Sequence, residues 1–110
     1  MLSLKPGVRI LGLTPQIVLA ATIVASVYQK HNRDCVITVS IEGGHMSGSE
    51  HYVGNALDFR LNDVMPSTLR SVIVADVKTA LGEDFDVLHE DPASDNEHLH
   101  VEYDPKRSYS

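Results

Sequence analysis

The sequence predicts a single α+β domain over residues 1–110, in which an antiparallel sheet packs against helices. Three observations predict this class: an apolar helical stretch after Thr14 and Pro15, a β-branched run from Cys35 to Ile41, and two alternating segments at 56–61 and 98–103. A chain of 110 residues can bury roughly 65% of the surface of its unfolded form, which is enough for one core.

The first helix is predicted to begin at Pro15 and to end at about Lys30. Thr14 is a suitable N-cap, and the proline ring presets the backbone of the first helical position. The stretch is apolar on most of its surface, so we expect this helix to be buried.

The remaining elements alternate with polar turns and give the order α-β-β-α-β-β. A glycine- and serine-rich loop separates the two central strands and is a candidate functional segment. The later elements are a strand at 56–61, a helix from Pro66 to Gly82, and strands at 84–90 and 98–103.

Composition excludes several classes of protein. Nine basic and fifteen acidic residues give a net charge of −6, which argues against a nucleic-acid binder. The single cysteine, Cys35, cannot form an internal disulfide and is expected to be a small buried hydrophobe.

The longest apolar stretch is shorter than the ~20 residues of a spanning helix, so we expect no membrane insertion. We expect a monomer without a signal peptide, made in the cytoplasm.

Two histidines on the last strand are candidate ligands. His98 and His100 lie two positions apart, so their side chains leave the same face, while Leu99 and Val101 point to the core. An exposed histidine pair is in itself only weak evidence for a metal site.

A second pair adds a carboxylate. His51 lies in the glycine-serine loop, and Asp58 lies on the following strand. Two imidazoles and one carboxylate are a ligand set of catalytic zinc sites, although the same donors also suit Mn, Co or Ni. Such a site keeps one net positive charge, which acidifies a bound water and polarises a carbonyl.

These residues fall in two motifs that resemble a known family. Residues 49–58 match S-x-H-x-x-G-x-A-x-D, and residues 97–100 match E-x-x-H overlapping H-x-H. Together they resemble the D-Ala-D-Ala metallopeptidase family, within the wider group that includes lysostaphin-type peptidases and the hedgehog signalling domain. The resemblance implies a hedgehog/D,D-peptidase-like fold.

The resemblance also implies roles for individual residues. Zn²⁺ would be held by His51, Asp58 and His100. Glu97 would be the general base that takes a proton from zinc-bound water and returns it to the leaving amine. His98 would stabilise the developing oxyanion.

Substrate contacts are implied less completely. Ser49 would contact a substrate carboxylate, and Gly54 would keep the turn tight because a side chain there would crowd the backbone. Many family members have an arginine upstream of the first motif, which this sequence lacks. His45 or Arg60 are the candidate replacements.

Asp95 is an alternative to Glu97 as the general base. Glu97 and His100 are three apart and would face opposite sides of an ideal strand, so Glu97 must lie in a turn or bulge. Asp95 is the other acid near the histidine pair.

The resemblance implies a zinc-dependent peptidase that hydrolyses an amide bond in peptidoglycan stem peptides, of the L-Ala-D-Glu endopeptidase or D,D-carboxypeptidase type. It would act at the bacterial cell wall in one of two contexts. As a phage-type endolysin it would leave the cytoplasm by a route other than a signal peptide, and otherwise it would be part of a phage particle. One alternative is a zinc-binding but non-catalytic domain that binds a partner. Another is a structural module whose histidines form hydrogen bonds.

Other polar residues receive plain structural interpretations. His31 is expected in a turn and His89 exposed on a strand. An acidic patch is expected to be a solvated face rather than a calcium site: Asp84, Asp86, Glu90 and Asp91.

Overall fold

A computed structural model describes residues 1–40 and 54–106 of the chain. Within these ranges the chain forms five strands and two helices. In chain order they are β1 (Leu2–Leu4), α1 (Pro15–Lys30), β2 (Cys35–Val39), β3 (Ala56–Arg60), α2 (Thr68–Leu81), β4 (Phe85–Glu90) and β5 (His98–Tyr103).

The strands form one mixed sheet with the order β1-β2-β3-β5-β4. The predicted α+β class is confirmed, but the sheet is not purely antiparallel. Strand β1 pairs in parallel with β2, whereas the other neighbours are antiparallel. Strand β1 is not predicted from the sequence, because three residues are too few to show an alternating pattern.

The hydrophobic core lies on one face of this sheet. Leu57 and Phe59 of β3, and Leu99 and Val101 of β5, are fully buried in a cluster that also contains side chains of both helices. Successive side chains of a strand point to opposite faces. The other face, here called the polar face, therefore carries the alternate residues: Asp58, Arg60, His98, His100 and Glu90.

Helix α1 has the predicted bounds but not the predicted burial. The Thr14 hydroxyl accepts a hydrogen bond from the Ile17 amide at 3.4 Å, as expected of an N-cap. Val18 and Leu19 are 50% and 61% exposed. The expectation of a wholly buried helix is therefore wrong, because the core covers only one side of α1.

Gly54 precedes β3 and joins it to the start of α1. Its φ is +78°, and a Cβ on it would lie 2.2 Å from the carbonyl oxygen of Gly12. The Thr14 amide donates to the Gly54 carbonyl at 3.0 Å. The expectation that a side chain at position 54 would crowd the backbone is confirmed.

Two further expectations concern single features. Cys35 is fully buried, as expected, and burial raises the pKa of its thiol to about 12. Neither helix in the described ranges has the length and apolar character required to cross a bilayer.

Candidate metal centre

The strand register aligns the polar-face residues in rows across three strands. Arg60 of β3 is paired with His98 of β5, which is paired with Glu90 of β4. In the adjacent row Asp58 is paired with His100. The prediction that His98 and His100 share a face, opposite the core, is confirmed.

The row geometry brings two imidazoles and two carboxylates together. Asp58 is 7% exposed, and its Oδ1 lies 2.8 Å from His100 Nδ1 while its Oδ2 lies 3.6 Å from His98 Nε2. Glu90 Oε1 lies 2.9 Å from His98 Nε2 and 4.0 Å from His100 Nδ1. We call these four residues the polar-face cluster.

The spacing of these atoms fits a divalent cation. Zinc bonds to nitrogen and oxygen of 2.0–2.2 Å place neighbouring donors of a tetrahedral ion about 3.3–3.6 Å apart. The four distances between donor atoms in the cluster run from 2.8 to 4.0 Å, a range that includes this spacing. Donor atoms of Asp58, Glu90 and His98 all lie within 4.8 Å of one another. His100 is not among these three residues, although its Nδ1 lies 2.8 Å from Asp58 Oδ1.

Outer hydrogen bonds orient both imidazole rings. His98 Nδ1 lies 2.7 Å from the Asn96 carbonyl oxygen, and His100 Nε2 lies 2.8 Å from Glu102 Oε1. A proton on each of these nitrogens leaves His98 Nε2 and His100 Nδ1 facing the carboxylates of the cluster. A carbonyl or carboxylate behind a histidine is the usual support of a metal-ligating imidazole.

The electrostatics of the cluster favour positive charge. Burial disfavours the protonated form of His100, but its hydrogen bonds to Asp58 and Glu102 outweigh burial and raise its pKa to about 9. The pKa of His98 is raised too, because the Asn96 carbonyl and the nearby carboxylates outweigh the effect of burial. Carboxylates that stabilise two imidazolium ions would equally stabilise a divalent cation that competes with those protons.

Glu97 does not join the cluster. It is 4% exposed, and its carboxylate lies on the helix side of the sheet, bound by Arg70 of α2, His89 of β4 and the Ala93 amide. Burial favours the neutral carboxyl, but hydrogen bonds from these three groups outweigh it and hold the pKa of Glu97 below its usual value.

The structure does not bring Glu97, the predicted general base, to the polar-face cluster, and its catalytic role stays a prediction. The turn before β5 has positive φ at Asp91 and Ala93, and it leads into a position whose side chain faces the helices. Glu97 is therefore ion-paired on the face opposite the polar-face cluster. The same network corrects His89, which is only partly exposed rather than solvent-facing.

Two other predicted residues lie beside the cluster. Arg60 is on the polar face, next to His98, and the rival base Asp95 is exposed near it; both line a cavity that His98 also lines. His31, interpreted as a plain turn residue, contacts Asp76 of α2 at 2.7 Å.

Three predicted site residues lie outside the described ranges: the ligand His51 and the substrate-contact candidates His45 and Ser49. The structure therefore bears on the predicted ligand set only through Asp58 and His100.

Glu90 lies in the polar-face cluster, a position that the sequence alone does not predict. From the sequence it belongs to an acidic patch with Asp84, Asp86 and Asp91. The alternation of β4 puts Asp86, Leu88 and Glu90 on one face, and antiparallel pairing with β5 then puts Glu90 opposite His98. The alternation of β4 can be read from the sequence. It places Glu90 opposite His98 only once the pairing of β4 with β5 is known.

The polar-face cluster can thus hold a divalent ion or, without one, form a network of charged hydrogen bonds. Comparison with protein-family models gives no match to this chain, and none of the curated proteins matches it.

Proposed function

We propose that this chain is a metal-dependent hydrolase, with zinc as the first candidate metal, that cleaves a peptide amide bond at the polar-face cluster. The observation that carries the proposal is the convergence of Asp58, His98 and Glu90 on one face of the sheet, with donor atoms within 4.8 Å of one another and with His100 at 2.8 Å from Asp58.

In this proposal Asp58, His98 and His100 hold the ion. A divalent ion bound there would lower the pKa of a water molecule and polarise a carbonyl. Asp58 would be the only anionic ligand, so the site keeps a net positive charge. His51 remains an additional ligand candidate from the sequence.

Glu90 takes the role that the sequence analysis gave to Glu97. Its side chain is 42% exposed, so substrate and water can reach its carboxylate. It lies at the edge of the cluster, 2.9 Å from His98 Nε2. From this position it can accept a proton from water and deliver it to the departing amine.

The substrate class rests on the sequence motifs. The resemblance of residues 49–58 and 97–100 to the D-Ala-D-Ala metallopeptidase family supports a peptidoglycan stem peptide and, with it, a hedgehog/D,D-peptidase-like fold. The α+β architecture, with Asp58 and His100 on neighbouring strands, is compatible with that proposal. A phage-type endolysin or a domain of a phage particle is the corresponding context.

The test is hydrolysis of purified cell walls by the full chain loaded with Zn²⁺, followed by the release of new amino groups. Replacing Glu90 by Gln should keep the metal and lower the rate by roughly 10²–10⁴-fold, the usual effect of removing a general base. Glu83→Gln, at an exposed glutamate after α2, is the matched control and should keep full activity. Absence of new amino groups from several wall types would overturn the hydrolase proposal.

A non-catalytic metal-binding domain is the second candidate, and the position of Glu90 favours it in one respect. If Glu90 is a fourth protein ligand, coordination is complete and no position is left for water, which is typical of structural zinc sites. Glu90→Gln separates the two cases, because loss of a ligand should weaken metal binding by more than about tenfold, whereas loss of a base should not.

A further inference from the structure

We propose that the open edge of β1 is the interface of a two-fold symmetric dimer, in which β1 pairs antiparallel with β1 of a second copy of this chain. The two five-stranded sheets would then form one continuous sheet. This assembly differs from the monomer expected from the sequence, and it does not depend on the proposed function.

The backbone of β1 points alternately toward β2 and away from it. The Lys5 amide donates to the Ile37 carbonyl at 2.9 Å, and the parallel pairing gives Ser3, two residues earlier, the same direction. The intervening residues, Leu2 and Leu4, therefore direct their amides and carbonyls outward. Because β1 ends the strand order, no strand in the described part of the chain meets these groups.

These outward groups are complementary to the same groups of a second copy. In an antiparallel pair with Ser3 opposite Ser3, Leu2 faces Leu4 of the second copy and Leu4 faces Leu2. Since these are the outward-pointing residues, each pair can exchange both of its hydrogen bonds. The next outward residue is Pro6, which has no amide hydrogen, so the pairing ends at Leu4.

The side chains of Leu2 and Leu4 line an apolar groove between β1 and α1. Leu4 is paired with the buried Ile37, so both leucines face the helix side of the sheet. The groove has a volume of about 250 Å³, and Ile10 and Val18 are among the residues of its other wall. The axis of an antiparallel strand pair is perpendicular to the sheet. The helices of both copies would therefore lie on one side, where the two grooves meet.

The exposed apolar surface on this side of the molecule is large enough for a dimer. Within residues 1–40 and 54–106, ten large apolar side chains are exposed, and seven of them lie in residues 1–19: Met1, Leu2, Leu4, Ile10, Leu11, Val18 and Leu19. Their exposures of 39–88% amount to about 500 Å² of apolar surface, at about 30 Å² per CH₂ group. A homodimer interface of standard size buries about 800 Å² per partner, about 65% of it apolar, which is a similar apolar area.

The opposite edge of the sheet does not have this character. Strand β4 carries Asp86 and Glu90, whereas β1 consists of Leu-Ser-Leu and has no charged residue. Charged side chains on an edge strand disfavour pairing with another strand. A two-fold pair at β1 covers the apolar edge of both copies, so the assembly is closed at two chains.

The first test is sedimentation equilibrium of the full chain in a chelating buffer, at protein concentrations from about 1 to 300 μM. The natural chain should reach twice the mass of one chain. Leu4→Asp places a charge in the groove and should weaken association by more than about tenfold. Leu88→Asp is the matched control, because Leu88 lies on the other edge strand and is 45% exposed, against 41% for Leu4. It should dimerise like the natural chain.

A disulfide test locates the axis. Directly opposite Ser3 residues in a non-hydrogen-bonded pair have Cα atoms about 4.5 Å apart, which a disulfide can span. Ser3→Cys should therefore form a covalent dimer with oxidised glutathione. Lys5→Cys, also at an exposed position, is the control, because two copies of residue 5 would lie about 14 Å apart. The natural Cys35 is fully buried and should not compete.

A monomer at every concentration would overturn the inference. A dimer that a folded Leu4→Asp protein retains would also overturn it, because the interface would then lie elsewhere. Absent cross-linking of Ser3→Cys, or equal cross-linking of Ser3→Cys and Lys5→Cys, has the same consequence and decides the question alone if Leu4→Asp does not fold. Neither test involves a metal or a reaction, so the result is independent of the proposed function.

Discussion

Asp58 connects the two histidines of β5 because its two carboxylate oxygens face different rings. Oδ1 contacts His100 and Oδ2 contacts His98, and the carboxylate itself is buried. A buried carboxylate requires compensating positive charge. Either two protonated imidazoles or a metal ion supplies it, so Asp58 is the residue whose replacement affects the site most.

Glu97, unlike Asp58, lies outside the polar-face cluster, and its ion pair with Arg70 stabilises the fold. Its carboxylate compensates the buried Arg70, whose other donors bind the carbonyl oxygens of Val64 and Asn62. Its direction depends on a partner 27 residues away, on another element. Local spacing to His98 and His100 could not reveal that contact, and the catalytic role of Glu97 is implied by the family resemblance alone.

Glu97→Gln should therefore destabilise the protein by about 3–5 kcal/mol, because it leaves the buried Arg70 charge without its partner. Urea unfolding at neutral pH measures this loss. Asp95→Asn, an exposed neighbour, should change stability by less than about 0.5 kcal/mol. An unchanged unfolding midpoint in Glu97→Gln would show that the Arg70 pair is not structural.

At the scale of the elements, the long periodic segments were predictable and the short ones were not. Both helices and four strands follow from apolar periodicity and from caps such as Thr14. Strand β1 depends on its pairing with β2, which no local pattern shows. The mixed sheet could therefore be learned only from the structure.

The junction of α1 and β3 depends on Gly54. Gly54→Ala should destabilise the protein by more than about 2 kcal/mol, because the added Cβ meets the Gly12 carbonyl at a positive φ. Gly7→Ala is the matched control: its φ is +92°, but nothing lies within 4 Å of the added atom. It should cost only about 1 kcal/mol. Equal losses in the two variants would contradict the close approach.

Helices α1 and α2 are joined at their surface by His31 and Asp76. The hydrogen bond from His31, together with the charge of Lys30, lowers the pKa of the Asp76 carboxyl despite the opposing effect of desolvation. A carboxyl whose pKa is lower in the folded state stabilises the protein above its unfolded pKa of about 3.9. That contribution is lost as the pH falls through the lower folded-state pKa.

Asp76→Asn should thus be less stable than the natural chain at neutral pH, and the difference should disappear in strong acid. Urea unfolding at a series of pH values below about 5 measures it. Asp34→Asn, at an exposed carboxylate near the N-terminus, provides the comparison. A difference that is constant across this range would contradict the His31 contact.

At the scale of the whole molecule, the residues that stabilise the fold and the residues of the proposed metal centre lie on opposite faces of the sheet. One face carries the core and the buried Glu97–Arg70 pair, and the other carries the polar-face cluster and the cavity beside it. The alternation of β5 was sufficient to predict that His98 and His100 face away from the core. Glu90 and Arg60 join them only through the β3-β5-β4 order, which is a long-range property.

Because the cluster is formed in the folded chain, metal binding should stabilise the protein as a whole. Zn²⁺ at 100 times its dissociation constant should raise the free energy of unfolding by about 2.7 kcal/mol. Thermal unfolding with and without added metal measures the change. His100→Gln should remove most of it, whereas His31→Gln, a histidine outside the cluster, should retain it.

The most direct measurement is a calorimetric titration of Zn²⁺ into the metal-free full chain, repeated with Asp58→Asn. The cluster geometry predicts one ion per chain in the natural protein and an affinity at least about 100-fold weaker in Asp58→Asn. No bound ion, or a titration that is the same in both proteins, would contradict a metal centre on the polar face.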